Sequence, residues 1–241
     1  MDKSRVTLAP KDRLIIALDL PATGEARSIV DAIGDEGVIY KIGYQLMPVG
    51  GLDLARELAA RGKRVFLDFK FHDIGATVER GTASVARLGV DFLTVHAEPD
   101  VLAAAVAGRA SDTRLKIFGV TVLTSLTQES LAQSGIAMRL EDLVLRRAEV
   151  AAKAGADGVI ASAREARAIR ARFGDALEII TPGVRPAGAA SDDQQRTLTP
   201  AAAIAAGADR LVVGRPIVNA SDPRAAAASI VAEIASAMAQ R

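Results

Sequence analysis

Short runs of β-branched and aliphatic residues punctuate the chain, each followed by a longer alanine-rich stretch with helical spacing. The runs predict strands over Leu14–Asp19, Val38–Ile42, Val65–Lys70, Phe92–His96, Lys116–Val122, Gly158–Ser162, Glu178–Thr181 and Arg210–Val213. They are continuously apolar rather than alternating, the pattern of strands buried on both faces. Helices are predicted over Gly50–Arg61, Thr77–Leu88, Leu140–Ala154, Ala163–Phe173 and Pro223–Ala239. These stretches are rich in Ala, Leu, Glu and Arg, all strong helix formers, and Pro223 suits a first helical turn. A weak repeat supports the alternation: Leu88-Gly89-Val90-Asp91, Ala154-Gly155-Ala156-Asp157 and Ala206-Gly207-Ala208-Asp209 each precede a strand. In each, the glycine can end a helix in the left-handed conformation before the chain turns into the strand.

Strand and helix alternating eight times, with right-handed crossovers, close most naturally into an α/β fold of the (β/α)8 TIM barrel type. The alternative is an open doubly wound sheet, which would usually carry a glycine-rich fingerprint after its first strand. Asp19-Leu20-Pro21-Ala22-Thr23-Gly24 is not such a fingerprint. The 241-residue length fits a single domain over 1–241, with 1–12 as an N-terminal extension; such barrels fill ~200–250 residues.

Composition narrows the chemistry. Thirty Lys and Arg against twenty-nine Asp and Glu leave a formal charge of +1, so no global attraction to nucleic acid or anionic lipid is expected. The absence of cysteine removes disulfides, thiolate catalysis and cysteine-based zinc sites. The polar start Met1-Asp2-Lys3-Ser4-Arg5 and the lack of a long apolar run lead to the expectation of a cytoplasmic protein without membrane contact.

In such barrels the chemistry sits where strands end, and polar residues collect there. Strand one ends in Asp19, strand two in Lys41, and strand three in Asp68 and Lys70, with Asp73 just beyond. His96 ends strand four, Thr121 and Thr124 follow strand five, and Gly214-Arg215 follow strand eight. The opposite strand ends show no comparable cluster, and five charges on one rim are too many for incidental capping. Residues two apart on a strand share a face, so Asp68 and Lys70 are expected to project together into the barrel mouth. With Lys41 and Asp73 they form an alternating set of two ammonium groups and two carboxylates. Unit charges ~4 Å apart interact by about 4 kcal/mol at an effective dielectric near 20, enough to hold Lys70 as an ammonium in a fixed rotamer. Lysine can donate its proton in a reaction, whereas arginine in practice cannot. An ion network that serves only the fold is the alternative, but it would desolvate several charges at an open barrel end for little gain.

Barrels commonly hold phosphate in the loops after strands seven and eight. Here Thr181-Pro182-Gly183-Val184-Arg185 follows strand seven, and Val213-Gly214-Arg215 offers a glycine for close backbone approach and a guanidinium fork. The long Gly183–Leu198 segment, containing Arg185, Gln194 and Arg196, is expected to act as a lid.

These residues resemble the orotidine 5′-monophosphate decarboxylase family, in its short bacterial form, over nearly the whole chain. The most specific piece is the Asp-x-Lys-x-x-Asp-Ile pattern at Asp68, Lys70, Asp73 and Ile74. Supporting it in order are Lys41-Ile42-Gly43, Thr94-Val95-His96-Ala97, Val120-Thr121-Val122-Leu123-Thr124-Ser125, Thr181-Pro182-Gly183-Val184-Arg185 and Asp193-Gln194. Gly75-Ala76 departs from the proline and asparagine of many members, which points to a different local loop shape.

The resemblance implies decarboxylation of orotidine 5′-monophosphate to uridine 5′-monophosphate with no metal or cofactor. It implies Lys70 as proton donor to C6, flanked by Asp68 and Asp73, with Lys41 completing the network and meeting the ribose along with Asp19. It also implies Thr124 at the pyrimidine edge, and Arg185, Gln194, Gly214 and Arg215 as lid and phosphate contacts. Ile74 belongs to the same binding set, and Asp73 and Thr77 are implied to reach the site of a neighbouring subunit in a homodimer. Related barrels that decarboxylate keto-sugar phosphates with Mg²⁺, or join formaldehyde to a ribulose phosphate, want an acidic residue placed on a metal. The lysine-rich network favours the nucleotide. A non-catalytic phosphate-binding barrel would need no proton donor between two carboxylates. His72 and His96 are read as structural or substrate-proximal rather than as a metal pair.

Overall fold

The computed structural model describes residues 8–110, 112, 114–186 and 198–240. Its strands are β1 (Leu14–Ala17), β2 (Ile39–Ile42), β3 (Arg64–Phe71), β4 (Phe92–His96), β5 (Lys116–Val120), β6 (Gly158–Ile160), β7 (Glu178–Thr181) and β8 (Arg210–Val213). Each pairs in parallel with the next, and β8 returns to β1, so the sheet is a closed barrel rather than an open one. The connecting helices are α1 (Thr23–Ile33), α2 (Gly51–Ala60), α3 (Gly75–Ala86), α4 (Pro99–Gly108), α5 (Gln128–Gln133), α6 (Leu140–Ala154), α7 (Ala163–Phe173), α8 (Pro200–Ala205), α9 (Arg215–Val218) and α10 (Pro223–Ala239). Among the described residues no helix is long and apolar enough to cross a membrane.

Both faces of the sheet are covered. Ile15, Ala17, Ile39, Phe66, Phe92, Phe118, Ile180 and Val212 fill the barrel interior. The outward side chains of the strands meet helix faces built at helical spacing, such as Ala26, Val30 and Ile33 of α1 and Leu54, Ala55 and Leu58 of α2. That double burial is why the strands read as unbroken apolar runs.

Several predicted boundaries shift. β1 stops at Ala17, β5 at Val120 and β6 at Ile160, each two residues short of the expected end. After β6 the chain leaves the ladder because Ser162 caps α7: its hydroxyl accepts from Arg164 N, and Glu165 bonds back to Ser162 N. α3 starts at Gly75, two residues before the expected Thr77, and Ala76, a strong helix former, lies in its first turn.

The expectation that the other strand ends carry no charged cluster is wrong. Arg64, Lys116, Glu178 and Arg210 are the first residues of β3, β5, β7 and β8, and they meet beneath the interior. Arg210, 1% exposed, pairs with Glu178 and donates to the carbonyl of Asp12, while Lys116 Nζ lies 2.9 Å from the other Glu178 oxygen. The Arg64 and Arg210 guanidiniums stand 4.8 and 5.2 Å from the Phe92 ring centroid. A 3-10 turn over Pro10–Arg13 seals this floor from below. One charge at the head of one strand resembles an ordinary solvated flank; only closure of the barrel makes four of them neighbours.

The threefold repeat also acquires a physical role. Gly89, Gly155 and Gly207 take positive φ, the left-handed conformation expected of them. The aspartate two residues on then turns back to the preceding strand. Asp91 accepts the Val65 N–H, Asp157 that of Ile117 and Asp209 that of Ile179, at 2.8–2.9 Å. Each carboxylate pins the start of an odd-numbered strand to the entrance of the next.

The floor yields a stability prediction. Burial alone would raise the Glu178 carboxyl pKa, but Arg210 and Lys116 outweigh it and hold it below the usual carboxylate value. A depressed folded-state pKa stabilises above the unfolded value near ~4.3 and loses that contribution as pH falls through the folded one. Removing one member of a buried pair costs roughly 3–5 kcal/mol, so Glu178→Gln should lower Tm by roughly 6–20 °C at neutral pH. The deficit should shrink below about pH 4; melting curves showing a pH-independent deficit, or none, would contradict the assignment.

Candidate active site

The C-terminal mouth of the barrel holds a cavity in two adjoining lobes of about 550 and 340 Å3. Asp68, Lys41, Lys70, Pro182 and Val212 line both lobes. The larger lobe also takes Asp19, Tyr44, Gln45, Arg185, Gly214 and Arg215, and the smaller takes Thr124 and Ser125.

Asp68 is the hub. Its Oδ1 accepts from Lys70 Nζ at 2.7 Å and from the Thr94 hydroxyl at 2.9 Å, while Oδ2 lies 3.4 Å from Lys41 Nζ. Lys41 also donates to Asp19 Oδ1 at 3.0 Å, giving a chain Asp19–Lys41–Asp68–Lys70 that runs from the connection after β1 across β2 to β3. Burial alone would raise the Asp68 carboxyl pKa, but Lys41 and then Lys70 outweigh it and the net shift is downward. Lys41 shows the converse: burial would lower its pKa, yet Asp68 and Asp19 raise it above the ordinary lysine value. Each shift favours the charged form. Gly43 matters here because a Cβ would sit 3.1 Å from Lys41 Nζ and crowd this pair.

Asp68 and Lys70 meet as expected, but not by regular strand alternation. Leu67 pairs with Leu93 and Phe71 with Val95, so Asp68, Phe69 and Lys70 together stand opposite Thr94 alone. Within this bulge Lys70 has φ 45°, the left-handed region, which costs a side-chain-bearing residue roughly 1–3 kcal/mol. The strand is thus bent where the ammonium must be aimed.

Four of the five expected rim charges converge. Asp73 does not join them: it is exposed, outside the lining of its own chain's cavity, and its Oδ1 accepts from Ile74 N at 2.6 Å. Ile74, 77% exposed, and Thr77, on the first turn of α3, also lie outside that lining. Thr121 is drawn off to the Ile160 carbonyl at 2.8 Å, leaving Thr124 to face the smaller lobe. Arg185, Gly214 and Arg215 come together in the larger lobe, and Arg185 N donates to Leu198 O at 3.0 Å, joining the two flanks of the segment expected as a lid. Gln194 and Arg196 lie outside the described residues, so the lid itself is not placed.

β3 ends at Phe71, and His72 stacks against His96 with ring centroids 4.9 Å apart. Burial, then His72 and Arg147, lower the His96 pKa below the ordinary histidine value. Among the described residues no group of three or more His, Asp or Glu gathers as a cation site. Sequence reasoning did not find Tyr44, Gln45 or the bridging role of Thr94; a tyrosine just after Lys41-Ile42-Gly43 was the only available signal.

Fold and site together define a TIM-barrel protein with a cluster of paired carboxylates and ammonium groups at its C-terminal mouth. The model of the Orotidine 5'-phosphate decarboxylase / HUMPS family matches residues 12–230. A protein from Methylobacterium sp. (strain 4-46) named orotidine 5'-phosphate decarboxylase is 56% identical over 232 residues, 95% of this chain and 98% of its own. One of the same name from Rhodopseudomonas palustris (strain ATCC BAA-98 / CGA009) is 53% identical, over 96% of this chain and 98% of its own. The crystal structure of the Lactobacillus acidophilus orotidine 5'-phosphate decarboxylase superimposes with TM-score 0.81 at 36% identity, covering 92% of this chain and 98% of that one. The chain belongs to the orotidine 5′-phosphate decarboxylase / HUMPS family. Within it, the chain is an enzyme of the carboxy-lyase kind.

Proposed function

We propose that this protein decarboxylates orotidine 5′-monophosphate to uridine 5′-monophosphate and CO2 in de novo pyrimidine synthesis, in the cytoplasm, without metal or organic cofactor. The observation that carries the reading is the Lys70 ammonium, held 2.7 Å from Asp68 where the two lobes join. The larger lobe, with Arg185, Gly214 and Arg215, suits the phosphate dianion, and Gln194, outside the described residues, is assigned to the same set by the family resemblance. Asp19 and Lys41 meet the ribose, and Thr124 meets the pyrimidine edge in the smaller lobe.

The C6–carboxylate bond breaks, CO2 departs, and the electron pair stays at C6 in the plane of the ring, where the π system cannot delocalise it. A fixed ammonium lowers the energy of that developing charge and then transfers a proton from Lys70 Nζ to C6. Catalysed barriers fall by roughly 8–23 kcal/mol, more than one charge contact supplies. Phosphate binding energy accounts for the rest through orientation and closure. Asp68 already pairs with two ammonium groups and accepts from a hydroxyl, so a divalent cation at that carboxylate would have to compete with Lys41 and Lys70.

A homodimer completes the site. Asp73, Ile74 and Thr77 lie outside the cavity of their own chain, and Tyr44, Met47, Val49 and Leu52 of the adjacent β2–α2 connection and helix are exposed with Ile74. An apolar rim of this kind suits an isologous contact that carries Asp73 and Thr77 to the partner's substrate.

Purified protein mixed with orotidine 5′-monophosphate should release CO2 with loss of the substrate's ultraviolet absorbance, at a rate unchanged by EDTA. Turnover that stops in EDTA and returns with Mg²⁺ would favour the metal-dependent relatives. No turnover under either condition would sink the proposed activity.

A further inference from the structure

The peptide unit between Phe69 and Lys70 lies in the β3 bulge, beyond the regular ladder. Both of its polar ends are nevertheless satisfied, each by a side-chain hydroxyl. The Tyr44 hydroxyl, from the connection after β2, donates to the Phe69 carbonyl at 2.7 Å. On the other side, Lys70 N donates to the Thr94 hydroxyl oxygen at 2.9 Å, and that hydroxyl in turn donates a hydrogen bond to Asp68 Oδ1 at 2.9 Å. Thr94 is fully buried in β4, and the Tyr44 ring lies 5.7 Å from Lys70 Nζ.

A left-handed lysine persists only where its surroundings over-determine it. We infer that Tyr44 and Thr94 are positioning residues, a two-hydroxyl clamp that holds the Phe69–Lys70 peptide in the bulge and so aims the Lys70 ammonium. Thr94 has the larger part because one oxygen fixes both the lysine backbone and the carboxylate that orients its amine. Tyr44 fixes the opposite face of the same peptide. Both are assigned to act through Lys70; Thr94 lies outside the lining of both lobes, and Tyr44 lines only the larger one.

The inference rests on the proposed role of Lys70, and its test separates the two. Loss of an orienting partner typically costs about 10–100-fold, and misplacement by about 1 Å can cost about 100-fold. Thr94→Val, which keeps the shape and removes the hydroxyl, should lower kcat by roughly 30–100-fold. KM should stay within about twofold, and Thr94→Ser should recover most of kcat. Tyr44→Phe should lower kcat by about tenfold, again at unchanged KM. Should Thr94→Val fail to fold, Tyr44→Phe decides alone, and an unchanged kcat there overturns the clamp. A rise in KM at constant kcat also overturns it. Wild-type and Lys70→Ala protein assayed in parallel isolate the underlying reading: an active Lys70→Ala protein would sink that reading, whereas an inactive one beside fully active Thr94→Val and Tyr44→Phe would sink only the clamp. Crystal structures of the clamp variants give a readout independent of turnover. The Phe69–Lys70 peptide should rotate and Lys70 should leave Asp68; an unmoved peptide and ion pair would count against the inference.

Discussion

Lys70→Ala should lower kcat by at least ~10⁴-fold, combining the loss of a general acid with that of the charge facing the carbanion. At about 1.36 kcal/mol per decade this corresponds to ~5.4 kcal/mol of transition-state stabilisation. Affinity for uridine 5′-monophosphate should change far less, because the phosphate contacts assigned to Arg185, Gly214 and Arg215 lie in the larger lobe and do not depend on the ammonium. Calorimetric titration beside the kinetics separates the two effects. Turnover near the wild-type rate would overturn the role given to Lys70.

Equally large is the expected effect of mixing two inactive proteins. If each site combines its own Lys70 with Asp73 of the neighbouring subunit, Asp73→Asn and Lys70→Ala homodimers each lack one group in both sites. A mixed dimer regains one complete site. Random exchange at equal concentration makes half the dimers mixed, so about a quarter of wild-type activity should return. Demonstrated subunit exchange without any regain would mean that Asp73 acts elsewhere. The same experiment tests why Asp73, so close in sequence to Lys70, stands outside its own cavity.

Much of the architecture was legible because burial on both faces leaves an unmistakable mark. β4, β7, β8, α6, α7 and α10 have the boundaries expected of their apolar runs. Short elements such as α5 and α9 carry too few residues for periodicity to register, and they went unseen. The strand-end rule located Asp19, Lys41, Asp68 and Lys70 because a charge closing an apolar run is conspicuous. Arg64, Lys116, Glu178 and Arg210 open their runs, where a charge reads as the end of a solvated loop, and their meeting depends on the closure of the whole barrel. The bulge at Lys70 was invisible for a different reason: no residue type announces a left-handed lysine, and the hydroxyls that support it come from β4 and the connection after β2.

The most direct test of the central claim is a crystal structure of the protein with uridine 5′-monophosphate bound. Lys70 Nζ should lie within about 3 Å of ring carbon C6, inside the reach required of a proton donor, with Asp68 still bonded to it and Asp73 of the partner subunit alongside. A nucleotide bound with C6 turned away from that amine, or seated outside the barrel mouth, would contradict the account.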